Sequence, residues 1–136
     1  MSFVVDASIA GSWFLPDEAT EATTGLARRV GAEGANAPDL FWHEVRNLLV
    51  NARRRRRLDQ ADLESHLNWL EALPLLNVGR GDGRLVARLA QQHGLTAYDS
   101  AYLAAAVTTR LPLASLDKAL RTAAKAEGVA LLPEAE

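Results

Sequence analysis

The sequence contains no cysteine in its 136 residues. This absence excludes disulfides, thiolate metal sites and cysteine nucleophiles, and it fits a reducing compartment, so we expect a cytoplasmic protein. No apolar run approaches the ~20 residues of a membrane-spanning helix, and the first residues lack the pattern of a signal peptide, so we expect no membrane partner. The formal net charge is only −2. Any binding of nucleic acid must therefore come from a local basic patch.

What the sequence does contain is typical of one folded domain. Hydrophobic residues make up 49% of the chain and charged residues 24%, a balance that argues against disorder. A chain of this length buries roughly two-thirds of its unfolded surface when it folds. We therefore expect a single domain over residues 1–136 with a substantial hydrophobic core.

Short apolar runs alternate along the chain with longer segments of helical periodicity. The first run is continuous rather than alternating, which is typical of a strand buried on both faces of a parallel sheet. Strands are predicted at 3–8, 35–38, 75–78 (also buried), 111–116 and 129–132. Helices are predicted at 7–15, 17–30, 40–56 (capped by Asp39), 60–73, 83–92, 96–109 and 117–127. This order predicts an α/β fold, a three-layer α/β/α sandwich with a central, mainly parallel sheet of four or five strands.

Four acidic residues stand where apolar segments end or inside segments with little other charge: Asp6, Glu44, Asp99 and Asp117. Asp6 follows the first strand, and ligands of open α/β sheets bind outside the carboxyl ends of the strands. Asp117 follows the strand-like segment 111–116. Each of these two residues also precedes a predicted helix, so capping that helix is the alternative role.

Glu44 and Asp99 occupy helix positions that we expect to be buried. On a helical wheel Glu44 lies between Leu40 and Leu48, on the apolar face of its helix. Asp99 is the only charged residue of the helix at 96–109. A lone buried carboxylate is costly, so such groups are normally paired or bound to a metal. The alternatives are an ion pair with a nearby arginine for Glu44 and backbone hydrogen bonds for Asp99.

Together the four acids predict a site for a divalent cation. Two carboxylates ~4 Å apart repel each other by about 4 kcal/mol at an effective dielectric of 20, so a cluster of four needs protons or a cation. Oxygen ligands without cysteine or histidine favour Mg²⁺ or Mn²⁺. The hydroxyl of Ser8 could join the ligand shell or cap a helix, and Ser115 could join the shell as well.

Four motifs, in this order and spacing, resemble one known family. They are VVDAS at 4–8, EVRNLL at 44–49, LTAYDSAYLA at 95–104 and LASLDKAL at 113–120. They resemble the PIN-domain ribonucleases, and most of all the VapC-type toxins of type II toxin–antitoxin pairs. The resemblance implies an endoribonuclease in which Asp6, Glu44, Asp99 and Asp117 are the catalytic residues and bind Mg²⁺ or Mn²⁺. Ser115 departs from the pattern, since threonine is more usual there, but it keeps the hydroxyl.

The same resemblance implies partners. It implies an RNA substrate, a cognate antitoxin protein and a second toxin subunit, with an apolar groove to receive the protein partners. We expect the larger aromatic residues to belong mostly to the core, and some of them could line this groove. These residues are Trp13, Phe14, Phe41, Trp42 and Trp69. Five successive arginines at 53–57 point all round a helix axis, so at most two or three can face one substrate; their contact with RNA is left open.

Other functions remain as alternatives. A magnesium-dependent phosphatase with Asp6 as nucleophile would need a second aspartate at position 8, which is Ser8. A receiver-type phosphoryl switch would need an aspartate where Val78 and Gly79 stand. A PIN-like nuclease that cuts DNA flaps, or an inactive PIN-like binding partner, would share the same fold. The three histidines, His43, His66 and His93, are expected at the surface or at helix ends.

Overall fold

The computed structural model describes residues 2–134, and its sheet has five strands, all parallel. The strands are β1 Val4–Val5, β2 Ala35–Ala37, β3 Leu75–Asn77, β4 Leu113–Ala114 and β5 Leu131–Leu132. Their order across the sheet is β3-β2-β1-β4-β5. Val4 in the central strand pairs with Asn36 on one side and with Leu113 on the other. The predicted parallel sheet is confirmed, with β1 at its centre.

Seven helices connect the strands within the described part of the chain. They are α1 Ala7–Phe14, α2 Glu21–Glu33, α3 Leu40–Arg54, α4 Gln60–Ala72, α5 Gly83–His93, α6 Ala97–Thr109 and α7 Lys118–Ala126. Helices α1 to α4 pack in one group and α5 to α7 in another. Right-handed crossovers place the two groups on opposite faces of the sheet. The predicted three-layer α/β/α sandwich is confirmed.

The second helix begins later than the sequence predicts. Residues 16–18 form a single 3-10 turn, and α2 starts only at Glu21. The reason is a capping box, in which the Thr20 hydroxyl accepts from the Thr23 amide and the Thr23 hydroxyl accepts from the Thr20 amide. Asp17 and Glu18 are therefore not the first turn of this helix, and their carboxylates are available to a residue elsewhere.

Two other local predictions are wrong. The strand β3 is not buried: Leu76 is 64% exposed, because β3 lies at the edge of the sheet and has a single neighbour. Asp39 does not cap α3 through its side chain, since its backbone is already helical and its carboxylate accepts no capping hydrogen bond. Neither error concerns the existence of the element: the first is one of position in the sheet, and the second is one of local backbone conformation.

The strand order defines where a ligand can enter. From β1 the chain moves outward through β2 and β3, then crosses to β4 and β5 on the other side of β1. The connections therefore diverge between β1 and β4, and such a switch point leaves a crevice at the carboxyl ends of its two strands. Asp6 follows β1 directly, and residues 115–117 follow β4. None of the helices within residues 2–134 is long and apolar enough to cross a lipid bilayer.

Candidate active site

Asp6 is fixed at the buried end of β1 by short-range hydrogen bonds. Its Oδ1 accepts from the amide of Ile9 at 3.1 Å, which caps α1, and from the hydroxyl of Ser8 at 2.6 Å. The Ser8 hydroxyl in turn accepts from the amide of Leu116 at 2.9 Å. Ser8 therefore joins the end of β1 to the loop after β4, and it does not cap the helix itself.

Asp117 occupies the matching position after β4. Its Oδ2 accepts from the amide of Leu120 at 2.8 Å and so caps α7. Its own amide donates to the Ser115 hydroxyl at 3.0 Å. The alternative role of helix capping is thus real for both Asp6 and Asp117. It does not exclude a second role, because a carboxylate has about four acceptor positions.

Glu44 is held by a tyrosine that the sequence analysis missed. The hydroxyl of Tyr102 on α6 donates to Glu44 Oε1 on α3 at 2.5 Å. This contact replaces the ion pair considered for Glu44. Tyr102 stands three residues after Asp99, a spacing that puts the two side chains on one face of the helix, and this spacing was the signal that could have identified it. Asn47, three residues after Glu44, was missed in the same way.

One cleft of about 280 Å³ at the switch point contains all four predicted acids. Its walls are formed by Asp6, Ala7, Ser8, Glu44, Asn47, Leu48, Asp99, Tyr102 and Asp117. Within it Asp6 is buried, Glu44 and Asp99 are half-buried and Asp117 is exposed. The expectation that Asp99 would be largely buried is wrong, because its turn of α6 opens onto the cleft. No backbone amide in residues 2–134 donates to the Asp99 carboxylate. The backbone hydrogen bonds considered as its alternative role are therefore absent from this part of the chain.

Burial, together with the charge of neighbouring acids, raises the pKa values of Asp6, Glu44 and Asp99. Burial raises the pKa of Asp6 to about 6, although hydrogen bonds from Ser115, Ser8 and Ile9 act in the opposite direction. Burial also raises the pKa of Glu44 and of Asp99, and the negative charge of Asp117 raises the pKa of Asp99 further. The charge of Asp99 contributes to the raised pKa values of Asp6 and Glu44. Asp99 is therefore the electrostatic link among the four acids.

This donor set fits a hard divalent cation. The cleft offers four carboxylates and no histidine, a set of oxygen donors that favours Mg²⁺ or Mn²⁺. A cation would also offset the cost of burying these carboxylates and the smaller repulsion among them. In the described part of the chain no three acidic or histidine side chains already stand together as a ligand set. Metal binding, and the catalytic roles of the four acids, therefore stay predictions.

Comparison with known proteins assigns the family. Residues 3–126 match the sequence family described as the PIN domain. The chain belongs to the PIN-domain family. It is also 33% identical over 124 residues to ribonuclease VapC3 of Pyrobaculum aerophilum, an alignment that covers 88% of this chain and 92% of that protein. The predicted resemblance to the VapC-type PIN ribonucleases is thereby confirmed.

Two solved structures have the fold of this PIN domain. The crystal structure of PAE2754 from Pyrobaculum aerophilum matches it with a TM-score of 0.74 at 24% identity, over 97% of this chain and 90% of that chain. The crystal structure of FitAcB from Neisseria gonorrhoeae matches with a TM-score of 0.68 at 18% identity, over 95% of each chain. At these identities the likeness concerns the fold, and it agrees with the three-layer architecture.

The histidines of the PIN domain lie outside the acid cleft. His43 is exposed, as predicted, but His66 is half-buried in the middle of α4, where its ring packs against Phe14 with centroids 5.2 Å apart. His93, the last residue of α5, is 2.7 Å from a carboxylate oxygen of Glu127. Each histidine therefore has a position that does not involve the four acids.

An arginine of the PIN domain holds the loop that carries Asp117. Nη1 of Arg121 on α7 donates to the carbonyl of Ser115 at 2.8 Å and to that of Leu132 at 3.2 Å. Nη2 donates to the carbonyl of Pro133 at 2.9 Å. The planar guanidinium thereby joins the carboxyl ends of β4 and β5 beneath the cleft, a use of fixed donor geometry that lysine cannot reproduce.

Replacing Arg121 by glutamine is expected to lower the free energy of unfolding by about 2 kcal/mol, because three carbonyls lose a charged donor. Arg121→Lys keeps the charge without the planar fork and should recover only part of this loss. Urea denaturation of the three proteins measures both effects. Equal midpoints for the wild type and Arg121→Gln would mean that the three hydrogen bonds do not stabilise the loop.

Proposed function

We propose that this PIN domain is a metal-dependent endoribonuclease and the toxin of a type II toxin–antitoxin pair. The observation that carries the proposal is the cleft at the switch point, whose walls include Asp6, Glu44, Asp99 and Asp117. The 33% identity with ribonuclease VapC3 over most of both chains supports RNA as the substrate. It also supports an antitoxin as the partner.

The four carboxylates would hold Mg²⁺ or Mn²⁺ in the cleft. When bound there, the ion supplies an activated water and neutralises the charge that develops on a phosphodiester. The chain's own contribution is to fix the carboxylates. Ser8 and the amide of Ile9 orient Asp6, and Tyr102 orients Glu44. Asp99 and Asp117 are the more exposed pair and so face the entering substrate.

Cleavage of a mixed pool of structured RNA by the purified protein tests this function. Discrete cuts that require Mg²⁺ or Mn²⁺ and disappear with chelator are expected. A parallel reaction with flapped DNA of comparable length distinguishes the DNA-cutting alternative. Intact RNA and intact DNA in every reaction, from folded protein free of antitoxin, would favour the inactive binding partner.

Metal binding can be measured without any substrate. At a concentration 100 times the dissociation constant, Mg²⁺ or Mn²⁺ is expected to stabilise the fold by about 2.7 kcal/mol, which raises the melting temperature by roughly 8 °C. Asp99→Asn should lose most of this shift. Asp39→Asn removes an exposed carboxylate outside the cleft and should keep it. A wild-type melting temperature that does not respond to either ion would contradict the metal assignment.

We also propose that the chain pairs with a second copy and with an antitoxin. The aromatic side chains of α1 and α4 support such a surface, since Trp13 and Phe14 pack edge-on against Trp69, which is 42% exposed. Phe14 and Phe41 are themselves buried, so the exposed part of this surface is Trp69 and not the two phenylalanines. Light scattering of the isolated protein distinguishes a monomer from a dimer.

A further inference from the structure

The acid cleft continues into a larger groove between α1 and α3. This second groove has a volume of about 550 Å³ and shares three lining residues, Ser8, Leu48 and Asp117, with the acid cleft. Helices α1 and α3 lie close together at its floor, since a Cβ placed on Gly11 would lie only 3.3 Å from Leu48 Cδ1. The two cavities therefore form one continuous channel. We call the larger cavity, which lies beyond Leu48, the α3 groove.

One face of α3 follows the whole channel. Glu44, Leu48, Asn51 and Arg55 succeed one another at intervals of four, three and four residues, which places them on the same side of a helix. Eleven residues correspond to roughly 16 Å along the helix axis. The side chains change along this line. The carboxylate of Glu44 lies at the acid cleft, apolar Leu48 and the amide of Asn51 follow, and the guanidinium of Arg55 lies at the far end.

Only some of the five arginines at 53–57 can act in the α3 groove. Arg55 and Arg57 line it, whereas Arg53, Arg54 and Arg56 do not. Nη2 of Arg57 is already bound by two carboxylates, at 2.9 and 3.0 Å from Asp17 and at 2.9 Å from Glu18.

Arg55 differs from Arg57 in having no such partner. Its side chain forms no ion pair with any residue from 2 to 134. Arg55 therefore supplies an available positive charge at the end of a channel whose other end is strongly acidic.

The remaining walls suit a nucleotide chain. Leu48 and Leu116 are 37% and 42% exposed and present apolar surface beside the acids, where the face of a base or ribose could pack. Asn51 carries both a donor and an acceptor midway along the groove. Phosphates bind to arginine through charge-assisted hydrogen bonds that a carboxylate-lined cleft cannot offer.

We propose that the α3 groove binds the single-stranded RNA that flanks the scissile bond, with Arg55 bound to a backbone phosphate. The inference rests on the proposed ribonuclease function and extends it by naming the path of the strand. Arg55 is a substrate-binding residue about three helical turns from Glu44, so it contributes to the affinity for RNA and not to the bond cleavage itself. Its loss is expected to raise KM and to leave kcat unchanged.

The test compares Arg55→Gln with Arg54→Gln. Arg54 is the matched control, because it is an exposed arginine of the same run that does not line the groove. Binding of a short, labelled single-stranded RNA of mixed sequence is measured at several salt concentrations, at constant Mg²⁺, with Asp99→Asn as the non-cleaving background. Removal of one phosphate contact should reduce the slope of log affinity against log salt by about 0.7. Arg55→Gln should show this reduction, and Arg54→Gln should keep the parent slope.

The outcomes separate this inference from the proposed function. If the wild type cuts RNA while Arg55→Gln binds with an unchanged slope, the groove assignment is wrong and the ribonuclease stands. An equal fall in slope for both variants would also overturn it, because the arginine run would then act only as a diffuse charge. If the wild type neither binds nor cuts RNA, both proposals fail. Thermal unfolding of the two variants checks that each remains folded.

Discussion

Asp99→Asn is expected to abolish metal-dependent RNA cleavage while the protein stays folded. The substitution removes the one carboxylate whose charge reaches three other acids of the cleft. Removing a residue that merely supports a metal ligand typically costs 10–100-fold in affinity or activity, so loss of a proposed ligand should reduce the rate by more than about 100-fold. Because repulsion within the cleft is relieved, the metal-free variant should be at least as stable as the wild type.

The matched control for this experiment is Asp39→Asn. Asp39 is an exposed aspartate whose carboxylate makes no capping hydrogen bond, so its replacement should change neither cleavage nor stability. Cleavage rates under single-turnover conditions and urea denaturation midpoints measure the two effects separately. Full cleavage by a folded Asp99→Asn protein would falsify the assignment of the metal site.

The stability of the metal-free protein should fall as the pH rises through about 6, and Asp6 is the main cause. Its pKa is about 6 in the folded protein, against 3.8 for an unperturbed aspartate. The folded state therefore holds a proton that the unfolded state releases, and this contribution is complete below pH 3.8 and lost above pH 6. A difference of about two pH units corresponds to about 3 kcal/mol.

Asp6→Asn should remove this pH dependence. Asparagine can still accept the capping hydrogen bond from Ile9, but it carries no charge, so the variant should be more stable than the wild type by up to about 3 kcal/mol at pH 8 and similar to it near pH 3. Asp59→Asn is the control, because Asp59 caps α4 at the surface. Denaturation in chelator across this pH range tests the prediction; parallel curves for the wild type and Asp6→Asn would contradict it.

The sequence predicts those parts of the site that depend on neighbouring residues. Asp6 and Asp117 could be placed because each follows an apolar strand and precedes a helix, and both features are local. The contact between Tyr102 and Glu44 joins residues 58 positions apart, and neither residue reveals its partner by type or spacing. The sequence therefore locates the acids, and Ser8 beside Asp6, but not Tyr102, which orients Glu44.

Errors in the fold have the same origin. The apolar character of residues 75–78 indicated a strand correctly, but the exposure of Leu76 depends on the position of β3 at the edge, which follows from the order of all five strands. Likewise Asp17 and Glu18 resembled a helix start, whereas they bind Arg57 about 40 positions away. Strand order and long-range ion pairs are decided by packing of the whole chain.

The bridge from Ser8 to the amide of Leu116 has a consequence for synthesis of the protein. These two residues are 108 positions apart, so a ribosome must add most of the domain after Ser8 before the two halves of the cleft can meet. A nascent chain that has exposed only β1, β2 and β3 holds Asp6 and Glu44 but lacks Asp117 and the loop that fixes it. The complete set of proposed metal ligands, Asp99 included, therefore exists only once β4 and the residues up to Asp117 have left the exit tunnel.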